Sequence, residues 1–358
     1  MSMFSRQRLD RSWRTGASAV TTPTRAALGP RQTEHPLRQD SGARPHACPL
    51  CTGLADTRIW TVTAEAVRSR LNREWGADFS EDAFPVRPGA TFVLYECGTC
   101  GLHFFAPTLS GDAAFYRQLM ATVPYESSRW DFGQVVREMR ATDRVVDFGC
   151  GDGAFLRMVK PLVRRAVGVD HNRDAIERLR QAGVAGAAAS FSEFAERHPG
   201  DFDVACAFHT LEHLAEINQF MRAITRCVRP GGRIFLSVPN RRRFAREDAA
   251  PLDCPPHHVS RWDPDQWRVL ADRFGLDLVG VRFEEPDLSH INLLHRQHLE
   301  RQFERLLGRP APSLVWRAYL KLMVGSARHA RRARRGRYSR RGIYGHTMLA
   351  QFRVPPTS

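Results

Sequence analysis

Val145-Val146-Asp147-Phe148-Gly149-Cys150-Gly151-Asp152-Gly153-Ala154-Phe155-Leu156 reads as a buried strand that breaks at three glycines and restarts as a helix. Val145, Val146 and Phe148 are the short apolar run of a strand covered on both faces. Glycines at alternate positions force a tight turn in which backbone approaches a ligand closely. Ala154, Phe155, Leu156 and Val159 then recur at helical spacing. Such a unit presents unpaired N–H groups at a helix N-terminus, a site for an anionic or polar cofactor edge.

By itself the segment leaves two readings open, because Gly149-x-Gly151-x-x-Ala154 also satisfies the dinucleotide-binding pattern of nicotinamide enzymes. Arg165-Ala166-Val167-Gly168-Val169-Asp170 is a second strand ending in an acid, the residue type that accepts hydrogen bonds from a ribose diol. A third apolar patch runs from Val184 to Phe191. A fourth strand, Asp201 to Phe208, leads through His209-Thr210-Leu211-Glu212-His213 into a helix with apolar residues at Leu214, Ile217, Phe220, Met221, Ile224 and Val228. Pro230-Gly231-Gly232 ends that helix, and Arg233 to Asn240 is a fifth strand.

The ordered set D-x-G-C-G-x-G, G-V-D, D-x-D, L-E-H and R-P-G-G-R-I-F-L-S-V-P-N resembles the class I S-adenosylmethionine (SAM)-dependent methyltransferases over about residues 141–285. The nicotinamide reading leaves Asp147 and the Leu211-Glu212-His213 segment without a role. The resemblance implies an α/β fold: a doubly wound, seven-stranded Rossmann-like sheet, here with a small N-terminal four-cysteine zinc-binding module. Six divisions are expected: a disordered tail over 1–44, a zinc-ribbon-like module with an insertion over 45–110, and a helical lead-in over 111–140. The SAM-binding core follows over 141–288, then a helical, Arg-rich insertion over 289–343, and the final strand and tail over 344–358.

The module rests on Cys48-Pro49-Leu50-Cys51 and Cys97-Gly98-Thr99-Cys100. Two C-x-x-C knuckles each place two thiolates on one turn, and four thiolates close a tetrahedral Zn²⁺ shell. Their separation is longer than the common spacing, so residues 56–90 form an insertion, with a helix around Ala64 to Trp75. Disulfides are the competing account, but nothing marks the chain as exported, and Cys150, Cys206, Cys227 and Cys254 fall in predicted core elements. Glu96 to Phe104 resembles the zinc ribbon carried by some small-molecule methyltransferases. A closed site of four thiolates has no open position, so its role is structural or recognitional.

Composition adds exclusions. A net charge of +15 invites a nucleic-acid partner, but all 53 basic residues except Lys160 and Lys321 are Arg, a bias that fits genome composition better than a selected surface. No run of 18 apolar residues occurs, so no membrane span is expected. The first residues lack the apolar core of a secretory signal, and Asp10, Glu34 and Asp40 argue against a transit peptide; the expectation is a cytoplasmic protein of bacterial type. Arg328 to Arg341 holds eight arginines and no acid. That run suits phosphates or an anionic surface, or else a solvated connector.

Pro255-Pro256-His257-His258 followed by Trp262, Trp267 and Phe274-Gly275 resembles the subgroup containing ubiquinone-biosynthesis and sugar methyltransferases. Leu276 to Phe283 and His346 to Val354 are the expected last two strands. By resemblance, Gly149, Gly151 and Gly153 admit the methionine part of SAM and Asp147 orders that loop. Asp170 takes the ribose hydroxyls, His171 lies against the adenine, and Ser190, Phe191 and Phe208 frame it. Tyr125 in the lead-in is the candidate lid. Proton removal from a small-molecule acceptor falls to His213, His209 or His257 with Glu212, since an imidazole can be neutral beside a sulfonium. In ubiquinone-type relatives the E/H-x-x-E-H position holds a divalent metal such as Mg²⁺, though His209 stands where those enzymes have an acid.

Overall fold

The computed structural model describes residues 46–55, 57–122, 129–243, 250–285 and 345–356. The expected tail over 1–44, Tyr125, and the insertion with Arg328–Arg341 lie outside the described residues.

β1 (His46–Ala47) and β2 (Leu54–Ala55) pair across the first cysteine turn. β3 (Thr57–Thr63), β4 (Thr91–Glu96) and β5 (His103–Ala106) form an antiparallel sheet, and α1 (Ala64–Trp75) fills the connection between β3 and β4. The Thr63 hydroxyl caps α1 by accepting from the Ala66 N–H, and Gly76 ends it in the left-handed conformation. Its apolar stripe, Ala64, Val67 and Leu71, packs with Phe79, Phe84, Phe92 and Phe115 into one cluster. Each fully buried aromatic there contributes about 1.5–3 kcal/mol.

α2 (Ala113–Met120) and α3 (Trp130–Val136) lead into the core. The core then alternates β6 (Arg144–Phe148), α4 (Ala154–Val159), β7 (Arg165–Asp170), α5 (Arg173–Gln181), β8 (Ala185–Ala188), α6 (Phe191–Arg197), β9 (Phe202–Phe208), α7 (Ile217–Cys227) and β10 (Val228–Pro239). It closes with β11 (Ser260–Arg261), α8 (Pro264–Phe274), β12 (Asp277–Phe283) and β13 (Thr347–Arg353). Seven strands form one sheet in the order β12-β13-β10-β9-β6-β7-β8. β13 is inserted antiparallel between β10 and β12. The period of two sends alternate residues to opposite faces: Val146, Phe148, Ala205 and Ala207 enter one cluster, Val145, Val204, Cys206 and Phe208 the other. That double burial is why these strands read as continuous apolar runs. Among the described residues no helix is long and apolar enough to cross a membrane.

Two details differ from expectation. Leu211–His213 is a separate 3-10 turn, so α7 starts at Ile217 rather than Leu214, and Val228 already belongs to β10. The cysteine-bearing sheet is also not closed within residues 45–110: β11, contributed by the segment after β10, pairs with β5 through Ser260↔Phe104 and Arg261↔His103. Cys48, Leu50, Leu102 and Phe104 share a hydrophobic cluster with Phe220, Trp262 and Trp267. The Asn218 side chain donates to the Pro49 carbonyl and that of Gln266 to the Cys100 carbonyl, both at 2.7 Å.

Candidate functional site

β6 ends at Phe148 and the chain turns through Gly149, Gly151 and Gly153, all at positive φ. A Cβ on Gly149 would lie 2.6 Å from Thr210 Oγ1, and one on Gly153 would lie 2.1 Å from Leu179 Cδ1. An L-residue pays about 1–2 kcal/mol for the left-handed backbone even before those collisions. Asp170, at the end of β7, secures the turn by accepting from the Gly151 N–H at 3.0 Å and the Asn172 N–H at 2.8 Å. Each carboxylate oxygen keeps a second lone pair for a hydroxyl. Its neighbour His171 is largely exposed, 3.6 Å away.

Asp147 lies beneath the turn, almost fully buried, and its Oδ1 has no hydrogen-bond partner. Burial, then the negative charge of Asp170, pushes its carboxyl well above the usual carboxylate range. An orphaned acceptor at this depth is what the amino group of a bound cofactor would satisfy.

The other expected cofactor residues fare unequally. Phe191 sits edge-on to Phe148 and Phe220, 5.7 and 5.2 Å between centroids, at the rim of the core. Ser190 is the N-cap of α6: its hydroxyl donates to Glu193 Oε2 and accepts from the Glu193 N–H in a capping box. Phe208 points into the core against Phe132 and Phe155, 4.8 and 4.6 Å away, because the register of β9 sends it to that face of the sheet.

Beside the turn, β9 pairs in parallel with β6, so residues 209–213 leave the sheet at the same edge as residues 149–153. Thr210 ties the two together: its hydroxyl donates to the Phe148 carbonyl at 3.2 Å. His209 holds φ 50°, a left-handed conformation for a non-glycine residue. Such strain clusters at functional sites. Its Nδ1 is 3.2 Å from Glu212 Oε1 and its Nε2 is 4.0 Å from Asp131 Oδ2. Burial, with the Arg129 charge next, drives its pKa well below that of a free histidine. The same burial raises Glu212 to about 8, so a neutral acid faces a neutral imidazole at pH 7.

His213 Nδ1 is 2.6 Å from the His257 carbonyl and 3.1 Å from Tyr116 Oη. A carbonyl only accepts, so Nδ1 carries the hydrogen and Nε2 keeps its lone pair. Burial and the neighbouring His257 and His258 hold the ring neutral. His257 is lowered to about 3 by burial and by His258.

Residues 132–281 match the methyltransferase domain family. The chain carries a class I SAM-dependent methyltransferase domain. Among curated proteins, the domain is 34% identical over 104 residues to the ubiquinone biosynthesis O-methyltransferase of Methylococcus capsulatus, covering 27% of this chain and 44% of that protein. It is 28% identical over 163 residues to a probable S-adenosylmethionine-dependent methyltransferase of Mycolicibacterium smegmatis, covering 42% of this chain and 59% of that one. The chain thus spans roughly half the length of these relatives, from 44% to 59%. It is also similar to the crystal structure of a SAM-dependent methyltransferase from Archaeoglobus fulgidus, at 16% identity and a TM-score of 0.45, over 66% of this chain and 99% of that one.

Against the methyltransferase domain sit the four expected cysteines, all reduced. Cys48 Sγ is 3.7 Å from Cys100 Sγ and Cys51 Sγ is 3.5 Å from Cys97 Sγ. These spacings exceed a disulfide bond of about 2.05 Å and approach the edge of about 3.8 Å of a tetrahedron built on Zn–S bonds of about 2.3 Å. The two knuckles fold alike. Cys48 N–H donates to Gly53 O and Thr52 N–H to Cys48 O, as Cys97 N–H does to Leu102 O and Gly101 N–H to Cys97 O. Thr52 and Gly101, in matching places, both have positive φ. The cluster is compatible with a zinc module.

Mg²⁺ on Glu212 and His213 finds no such support. The nitrogen that groups with His213 comes from His257 and His258, not an oxygen from Glu212, whose carboxylate lies against His209 instead. Mg²⁺ requires oxygen ligands in octahedral array.

Several residues were not legible as site residues. Asp131, at the start of α3, is buried; it accepts from Ser237 Oγ at 2.6 Å and pairs with Arg129 through both oxygens. Tyr116, on α2, reaches His213 and the His257 carbonyl with its hydroxyl. His258, beside His257, is also buried, with its Nδ1 3.1 Å from Asp253 Oδ1.

Proposed function

We propose that this chain transfers the methyl group of SAM to an oxygen of a small-molecule acceptor, with the acceptor's proton removed at the histidines that follow β9. The observation that carries the reading is the junction of turn and histidines: Thr210 bonds to the Phe148 carbonyl at the lip of the glycine turn, and His213 lies three residues further on. SAM, when bound, supplies a methyl already made electrophilic by its sulfonium. The protein's own task is to hold donor and acceptor in line and to dispose of one proton.

In this proposal Asp147 and the turn of Gly149, Gly151 and Gly153 take the methionine end, Asp170 the ribose, and His171 and Phe191 the adenine. Ser190 and Phe208 serve only as a helix cap and a core residue behind that site. His213 offers a neutral Nε2, which suits proton removal; His257 orients it through its carbonyl, while His209 and Glu212 form the neutral pair behind it. An oxygen acceptor is supported by the O-methyltransferase named among the relatives. The cysteine cluster is proposed to hold one structural Zn²⁺ that welds the ribbon to the domain, its shell closed by four thiolates.

Calorimetry with SAM and S-adenosylhomocysteine, followed by turnover with a panel of phenols and hydroxylated sugars, tests the reading. S-adenosylhomocysteine formed with a hydroxylated small molecule is the expected result. No SAM binding sinks the cofactor site, and turnover with structured RNA alone overturns the acceptor class.

A further inference from the structure

His213, His257 and His258 come from two separate segments and meet at one point. Their ring centroids are 4.7, 4.8 and 4.4 Å apart, and each ring offers one nitrogen within 4.8 Å of those of the other two. Crowding of imidazoles alone would be packing. The tautomers distinguish this group from packing.

Each Nδ1 is held by an oxygen: His213 by the His257 carbonyl at 2.6 Å, His257 by the Leu252 carbonyl at 2.8 Å, and His258 by Asp253 Oδ1 at 3.1 Å. Two of these oxygens are carbonyls, and the third belongs to a carboxylate that also pairs with Arg243. Each of these oxygens accepts from its Nδ1, which leaves Nε2 as the ring nitrogen open to a ligand. Asp253 is itself fixed by Arg243, and its backbone carbonyl accepts from Arg261. Carbonyl or carboxylate on Nδ1 and a free Nε2 is the arrangement by which metal-binding histidines are oriented.

We propose that the three Nε2 atoms bind one divalent transition-metal ion of the kind imidazole prefers, Zn²⁺, Co²⁺ or Fe²⁺, with a fourth position open. Three imidazoles gathered with one nitrogen each within 4.8 Å of the others can hold a cation. Nitrogen ligands favour these ions over Mg²⁺ or Ca²⁺, and three protein ligands with an open position are the pattern of catalytic rather than structural zinc. With Zn–N bonds of about 2.0–2.1 Å the edge of the coordination tetrahedron is about 3.3 Å, so an ion would draw the rings closer together. An ion there would lower the pKa of a hydroxyl at its open position, and in the loaded protein this takes over from His213 Nε2, whose lone pair the ion occupies, as the means of freeing the acceptor oxygen of its proton. This last role rests on the proposed oxygen methylation; the ion site itself does not.

The test uses the full chain, stripped with chelator, reloaded with Zn²⁺ or Co²⁺, desalted and analysed for metal. Wild type is expected to retain two ions, and His257→Ala/His258→Ala one, with calorimetric SAM affinity unchanged as evidence of folding. The Co²⁺ form of that variant keeps its thiolate charge-transfer band and loses the weaker visible bands of a nitrogen-ligated ion. A Cys51→Ser/Cys100→Ser variant loses the opposite set. One ion in wild type, unchanged by the histidine substitutions, overturns the site. ¹⁵N-imidazole spectra of the unmutated protein decide the matter even if a variant misfolds: three Nε2 signals shift on adding Zn²⁺ if the site is real, and none shifts if it is not. Failure of SAM binding in wild type would sink the methyl-transfer reading while leaving these metal readouts intact.

Discussion

The His213 ring donates from Nδ1 to the carbonyl of His257, 44 residues away in sequence and 2.6 Å away in space. That one bond joins the turn after β9 to the loop before β11 and sets which nitrogen of His213 is free. It also ties the ribbon's last strand to the turn that holds Glu212 and His213, since Val259 N–H donates to the Glu212 carbonyl and Ser260 pairs with Phe104.

Replacing His213 by Ala is expected to lower kcat by at least roughly a hundredfold while SAM affinity stays intact. The loss shrinks as pH rises toward the acceptor's own pKa, because an acceptor already ionised needs no base. Near-normal turnover in this variant, with loss in His209→Ala, would move proton removal to the other side of Glu212.

Asp170→Ala is expected to weaken SAM and S-adenosylhomocysteine by roughly 2–4 kcal/mol in calorimetry. Part of that loss arises from the turn, because the carboxylate also holds the Gly151 and Asn172 N–H groups. Asp170→Asn separates the contributions: one amide oxygen still accepts, so it should fall between wild type and Ala. Equal affinity in all three folded proteins would remove Asp170 from the site.

Cys97→Ser should release one equivalent of zinc per chain and lower Tm. It should also perturb the methyltransferase domain, because the ribbon shares a hydrophobic cluster with Trp262 and Trp267. A variant with wild-type metal content and wild-type Tm would leave the four thiols as a reduced cluster without a structural ion.

The pH dependence of stability should carry a signature from Asp203, at the foot of β9. Burial alone would raise its pKa, but hydrogen bonds from Arg229 and from both the backbone and side chain of Arg144 outweigh it and hold the carboxyl at about 2. The unfolded chain titrates near the ordinary 3.8. A depressed acid contributes stability that is complete above the unfolded value and disappears as pH falls through the folded one, here about 2 kcal/mol. Asp203→Asn should therefore cost about that much in urea unfolding at pH 7, with the gap closing below about pH 4 and gone by about pH 1. A gap independent of pH would show that packing, not charge, is lost.

The strands of the core were legible because each is buried on both faces and must be apolar throughout, and the glycine turn because residues at 149 and 153 have no room for a Cβ. The two C-x-x-C knuckles were legible for a related reason: local turns alone determine which thiols share a corner, as the matching bonds around Cys48 and Cys97 show. Tertiary structure decided what depends on contacts between distant segments. Phe208 packs against Phe132 and Phe155 because the register of β9 turns it inward. The sequence lists fourteen histidines, without saying which rings meet or which nitrogen is protonated. Those properties came from the carbonyls of Leu252 and His257 and from Asp253. A backbone carbonyl is present at every residue, so its aim at a ring leaves no mark in the residue string and exists only once the chain has folded.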